Sequence, residues 1–129
     1  VRAKFRIIGF NKSVEGVALV DTGASLTLLD KSIAEEISVK YVGRRVRIVT
    51  ADCHEVEAEL AIVDRLVVED EESPFAYVAV MNFPSRLREK LQKLSLCDYC
   101  IIGLISLELL QLIPDTVTGK LRKSSVIFL

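Results

Sequence analysis

Ala18-Leu19-Val20 runs straight into Asp21-Thr22-Gly23-Ala24-Ser25, and this junction constrains the chain more than any other stretch. The apolar run reads as a strand delivering Asp21 to a turn. Thr22 and Gly23 are small enough for another backbone to come close. A carboxylate at the end of a buried strand is costly to ionise unless hydrogen bonds or a chemical task hold it there. Asp21 is therefore the first candidate for chemistry, weighed against a plain turn Asp that caps local N–H groups. A second marked element, Cys100-Ile101-Ile102-Gly103, follows far downstream.

The pattern on either side of these motifs is mostly that of strands. Lys4 to Ile8 and Val14 to Val20 read as two strands joined by a turn at Gly9-Phe10-Asn11-Lys12. Leu26, Leu28 and Leu29 continue as an apolar strand, and Ser32 to Glu35 has the spacing of a capping box that opens a short helix. A turn at Gly43 is expected to lead into a strand from Arg45 to Thr50. Ala51-Asp52-Cys53-His54 then forms a hairpin tip, and Val56 to Val63 returns from it. Leu66 to Val68 and Phe75 to Val80 read as further strands around a solvated acidic loop, Glu69 to Pro74. Pro84 opens a helical stretch with Leu87, Leu91 and Leu94 on one side, expected to pack on the rest of the fold. Ile105 to Leu112 reads as an apolar helix stopped by Pro114, followed by a closing hairpin and a final strand from Ser125 to Leu129.

Composition narrows the function classes. The chain has 129 residues, 50% hydrophobic and 27% charged, enough for one core and too apolar for disorder. A net charge of −1 without a basic block makes nucleic acid a poor partner. No apolar run approaches the ~18 residues of a membrane span, and the start is too polar for a signal peptide, so no membrane partner and a cytoplasmic location are expected. Three cysteines, an odd number, argue against a secreted disulfide framework. Cys97-Asp98-Tyr99-Cys100 lacks the βαβ setting of a redox motif. A zinc site would need two more ligands, and only the adjacent Cys53 and His54 are left. No metal and no cofactor are therefore expected, and the CxxC reads as a buried thiol pair or a local disulfide.

Two aliphatics followed by Asp21-Thr22-Gly23-Ala24, with Ile101-Ile102-Gly103 in the same order downstream, resemble the retropepsin-like (retroviral-type) aspartic protease family. The resemblance implies an all-β acid-protease closed barrel, one lobe per subunit, with two or three short helices and residues 1–129 as a single domain. It implies that Asp21 is the catalytic carboxylate, that Thr22 bonds to a partner's loop, and that the Gly23 carbonyl meets substrate. Ala24, Ser25 and the flap tip Ala51, Asp52, Cys53 and His54 would contact substrate, and Ile101, Ile102 and Gly103 would support the loop from behind. This chemistry needs two carboxylates sharing a proton, whereas the chain has one such Asp and no internal repeat. The implied enzyme is thus a homodimer with Asp21 meeting its own copy across a two-fold axis, hydrolysing extended polypeptides. Apolar Val126 to Leu129 would join the interface.

Ala24 stands where pepsin-like loops carry Ser, which implies an optimum less acidic than pepsin's. Three features depart from the family pattern: a flap tip without Gly, Ile105 where relatives often carry Asp or Asn, and the helical stretch after Pro84 where a short loop is usual. The first two keep a different class in view, a catalytically silent dimerisation or peptide-binding module.

Overall fold

The computed structural model describes residues 1–49 and 53–124. Strands β1 (Arg2–Ile8) and β2 (Ser13–Val20) form an antiparallel hairpin. β1 alternates strictly, with Ala3, Phe5 and Ile7 buried and their neighbours in solvent or half-buried, as the two-residue period of a one-sided strand requires. After the Asp21 turn come β3 (Leu28–Asp30), α1 (Lys31–Ile37), β4 (Lys40–Val49) and β5 (Glu55–Ile62). β6 (Arg65–Val68), β7 (Glu71–Pro74) and β8 (Tyr77–Met81) lead to α2 (Ser85–Lys93). β9 (Cys100–Ile102), α3 (Leu104–Leu110), β10 (Leu112–Asp115) and β11 (Lys120–Lys123) complete the described chain. Among the described residues the fold is β-rich with three short helices, none of them long and apolar enough to cross a membrane.

Nine strands form one sheet in the order β4-β5-β8-β3-β9-β2-β1-β6-β7, and β10 and β11 form a separate hairpin. The sheet wraps two apolar clusters. Adjacent residues of its central strands point to opposite faces, so Leu29 and Ile102 enter one cluster while Leu28 and Ile101 enter the other. The first cluster is closed by Ile37 of α1 and Leu107 and Leu110 of α3. The second is closed by Phe83 and by Leu91 of α2.

Several local expectations change. The N-cap of α1 is Asp30, whose side chain accepts from Ser32 N at 3.1 Å. Ser32 lies inside the helix, because the carboxylate two residues earlier takes the exposed N–H first. Gly43 does not turn the chain; with φ of 75° it sits in a bulge of β4, where the register with β5 shifts between Tyr41 and Arg44. The acidic stretch is a tight turn at Glu69 and Asp70 followed by β7, which pairs with β6. α3 ends at Gln111, a left-handed cap, and Pro114 lies in β10 instead of stopping the helix. Leu94 is 46% exposed, outside the buried face of α2. The final strand expected from Ser125 to Leu129, with its interface role, lies outside the described residues.

Candidate active site

Asp21 emerges from β2 beside β9, which runs parallel to it with Leu19 opposite Ile101 and Val20 opposite Ile102. The Asp21 N–H continues that ladder, donating to Ile102 O at 2.9 Å. The chain then turns, Ala24 N bonding back to Asp21 O at 3.1 Å. Within the turn Gly23 N donates to Asp21 Oδ1 at 2.9 Å, so the loop's own backbone orients the carboxylate. Asp21, Thr22, Gly23 and Ser25 are exposed and Ala24 is half-buried. The far side of the turn is tied down as well: Ala24 O and Ser25 O accept from Leu104 N at 2.7 Å and Ile105 N at 3.0 Å. The N-terminal N–H groups of α3, which have no partner inside the helix, are thereby satisfied by the loop.

Ile101, Ile102 and Gly103 lie directly behind this turn. A Cβ on Gly103 would sit 2.4 Å from the carbonyl carbon and oxygen of Leu26 and 2.8 Å from Thr27 N, so only glycine permits the approach. Gly103 N donates to Thr27 Oγ1 at 3.1 Å, and Thr27 Oγ1 shares a 2.7 Å hydrogen bond with Ser106 Oγ. Thr27 is fully buried and Ser106 nearly so. This polar bracket under the Asp21 loop was not identified from the sequence, since Thr27 and Ser106 are 79 residues apart and neither carries a local signal.

The β4–β5 hairpin presents two unlike faces. Val46, Ile48 and Val56 point inward against the second cluster, together with Leu19 and Leu26 from either side of the Asp21 turn. Arg45 and Glu57 pair on the outer face at 3.3 Å. Cys53 and His54 are exposed where the chain enters β5, Cys53 in the left-handed region. Ala51 and Asp52 lie outside the described residues.

A second carboxylate, Asp30, also escaped the sequence reading. It is 2% exposed and accepts from Phe83 N at 2.8 Å, from Ser32 N and Oγ, and from the guanidinium of Arg88 at 2.7 Å. Burial alone would push its carboxyl up, but the bonds from Phe83, Ser32 and Arg88 outweigh burial and hold it below the usual carboxylate value. Arg88 also reaches Phe83 O at 3.4 Å and the carboxylate of Asp98 at 3.6 Å. The signal that could have found it is the place of Arg88 on α2, next to Leu87 and three positions before Leu91, at the border of the apolar side.

The cysteines are free thiols. Burial pushes the Cys100 thiol well up and the Cys97 thiol up less strongly, which suppresses the reactive thiolate of both. Tyr99 between them is pushed up to about 12, chiefly by burial. Among the described residues no three His, Cys, Asp or Glu side chains converge as a metal cluster.

Residues 3–104 match the family model described as aspartyl protease. Among solved structures the chain is similar to a retropepsin-like aspartic protease from Rickettsia conorii, at 18% identity over 88% of this chain and 74% of that one, with a TM-score of 0.50. It is also similar to the retroviral protease-like domain of Ddi1 from Leishmania major, at 20% identity over 96% of this chain and 88% of that one, with a TM-score of 0.51. At these identities the likeness is one of fold. No curated protein matched the chain.

Proposed function

The chain belongs to the aspartyl protease family, and on that premise we propose that it is a homodimeric aspartic endopeptidase of retropepsin type, one domain over residues 1–129. The observation that carries the reading is the Asp21 turn: an exposed carboxylate oriented by Gly23 N–H at 2.9 Å, on a backbone anchored by the Asp21 N–H donating to Ile102 O at 2.9 Å. In the proposed dimer Asp21 meets its copy, and the two share one proton because like charges at that distance cannot both ionise. One carboxylate takes a proton from water while the other polarises the scissile carbonyl and then protonates the leaving nitrogen. Thr22 would bond across the dyad to the partner's loop, the Gly23 carbonyl would meet the substrate backbone, and Ala24 and Ser25 would flank it.

The β4–β5 hairpin would act as the flap, with Ala51, Asp52, Cys53 and His54 at its tip. An extended peptide lying beneath it would add as a strand. Half-buried Leu19, Leu26, Val46, Ile48 and Val56 support a preference for apolar side chains, whose burial supplies about 25 cal/mol per Å². The place of action we propose is the cytoplasm.

The test compares the parent with Asp21→Asn on a diverse peptide mixture between roughly pH 3 and pH 8, new termini being read by mass spectrometry. Cleavage by the parent alone is expected. If both are silent while sedimentation shows a dimer, the fold serves as a peptide-binding or dimerisation module, a reading that exposed Ile105 favours.

A further inference from the structure

The helix α2 occupies a stretch of the chain for which the family resemblance offers no counterpart, and its inner side joins the same apolar cluster that borders the Asp21 turn. Phe83 and Leu91 are sealed in that cluster, while Leu87 is only half-buried on it. The other half-buried members are Leu19 and Val17 on β2, Leu26 after the turn, and the inward side chains of the β4–β5 hairpin. Leu19 precedes Asp21 by two positions, the spacing that puts strand side chains on one face. Apolar side chains left half-covered around a polar group are the surface that an incoming apolar group would cover.

Arg88, the next residue, decides where Leu87 stands. Its guanidinium holds Asp30 at 2.7 Å, Phe83 O at 3.4 Å and Asp98 O at 3.5 Å. It thus ties the end of β3, the entry to α2 and the exit from α2 to one rigid fork. A planar group with several donors fixes such a junction in a way a flexible ammonium does not.

We propose that α2 is a wall of the substrate cleft, that Leu87 is a specificity-determining residue limiting the size of the apolar side chain accepted there, and that Arg88 is its positioning residue. This rests on the protease reading of Asp21. Shortening Leu87 opens space on the cleft side, so bulkier substrate side chains gain relative to small ones. Each methylene of fit is worth about 10-fold or more in discrimination.

The experiment profiles the parent, Leu87→Ala, Leu87→Met, Arg88→Lys and the control Leu94→Ala on a peptide library varied in aliphatic and aromatic residues. Expected is a shift of about 10-fold in the kcat/KM ratio of large to small residues at one substrate position for Leu87→Ala, and none for Leu94→Ala, whose side chain is exposed. Leu87→Met conserves volume and keeps the question answerable if the alanine variant does not fold; its profile broadens at the same position. Arg88→Lys broadens that position while preferences elsewhere hold, whereas a purely structural role would lower activity on all peptides alike. Unchanged profiles in the Leu87 variants, or a uniform loss in Arg88→Lys, would overturn the proposal. Should the parent cleave nothing, the protease reading fails by itself, and the peptides retained by each immobilised variant are compared instead. A retained set shifted in residue size by Leu87→Ala upholds the wall, and an unshifted or empty set refutes it.

Discussion

Gly103→Ala is the substitution to which the geometry assigns the clearest penalty. The new Cβ would lie 2.4 Å from the Leu26 carbonyl carbon, against an ordinary carbon contact of about 3.5 Å, so something must move by about 1 Å. What it meets is backbone, and that backbone is held: Thr27 O accepts from Ala79 N at 2.9 Å and Thr27 Oγ1 from Gly103 N at 3.1 Å. Yielding therefore means breaking or stretching two buried hydrogen bonds, each costing about 1–3 kcal/mol when its partner is left unsatisfied. Against this stands a gain of about 0.4–1 kcal/mol from the stiffer unfolded chain. The net loss is about 1–5.5 kcal/mol, set against the ~5–15 kcal/mol of a typical domain. Urea unfolding reads it directly: with a slope of about 2 kcal/mol/M the midpoint falls by about 0.5–2.8 M. Because the displaced backbone continues into the Asp21 turn, the proposed peptide cleavage is expected to fall with it. A midpoint within about 0.3 M of the parent, with cleavage intact, would refute the close-packing argument.

Other expectations follow from the same contacts. Thr27→Val keeps the shape of the side chain but strands Gly103 N–H and Ser106 Oγ, and is expected to cost about 1–3 kcal/mol in the same urea assay. Asp30→Asn removes the negative charge and one acceptor oxygen from a pair whose carboxylate is 2% exposed but whose Arg88 is 31% exposed; partial solvation of Arg88 tempers the loss to about 2–4 kcal/mol at neutral pH. Since the folded Asp30 titrates below its unfolded value, its contribution is complete above about pH 4 and disappears as pH falls through the folded value. The Asp30→Asn stability curve should therefore be flatter than the parent's in acid, as denaturation at a series of pH values would show. Ala24→Ser puts a hydroxyl beside the Asp21 turn where it can bond the ionised carboxylate, and is expected to move the cleavage optimum about 0.5–1 pH unit toward acid; an unmoved pH–rate profile counts against it.

What could be read from the residues was what is local. β1 and β2 announce themselves as apolar runs around a turn, the stretch after Arg45 by alternation, and Asp21-Thr22-Gly23 by its composition. Ile101 and Ile102 are placed behind the loop by resemblance, and in the fold they pair in parallel with Leu19 and Val20. The failures share one cause, competition between neighbours or between distant segments. Ser32 has the spacing of a cap, but Asp30 reaches the same N–H from a better position. Gly43 resembles a turn residue, yet β5 continues past it and absorbs it as a bulge. Glu71 to Pro74 reads as solvated because its residues are polar, and it becomes a strand because β6 offers it an edge. The Thr27–Ser106 bracket and the Asp30–Arg88 fork join residues that only the fold brings together.

The placement of β9 sets an order of events. Ile101 pairs with Leu19 on one side and with Leu28 on the other, so the two strands that flank the Asp21 turn are joined only through a segment made much later. Closing so long a loop carries an entropic cost that grows with its length and slows folding. A nascent chain displays Asp21, Thr22 and Gly23 well before the strand that pairs on both sides of their turn exists. In the proposed enzyme, chemistry at Asp21 therefore waits until β9 has joined β2 and β3.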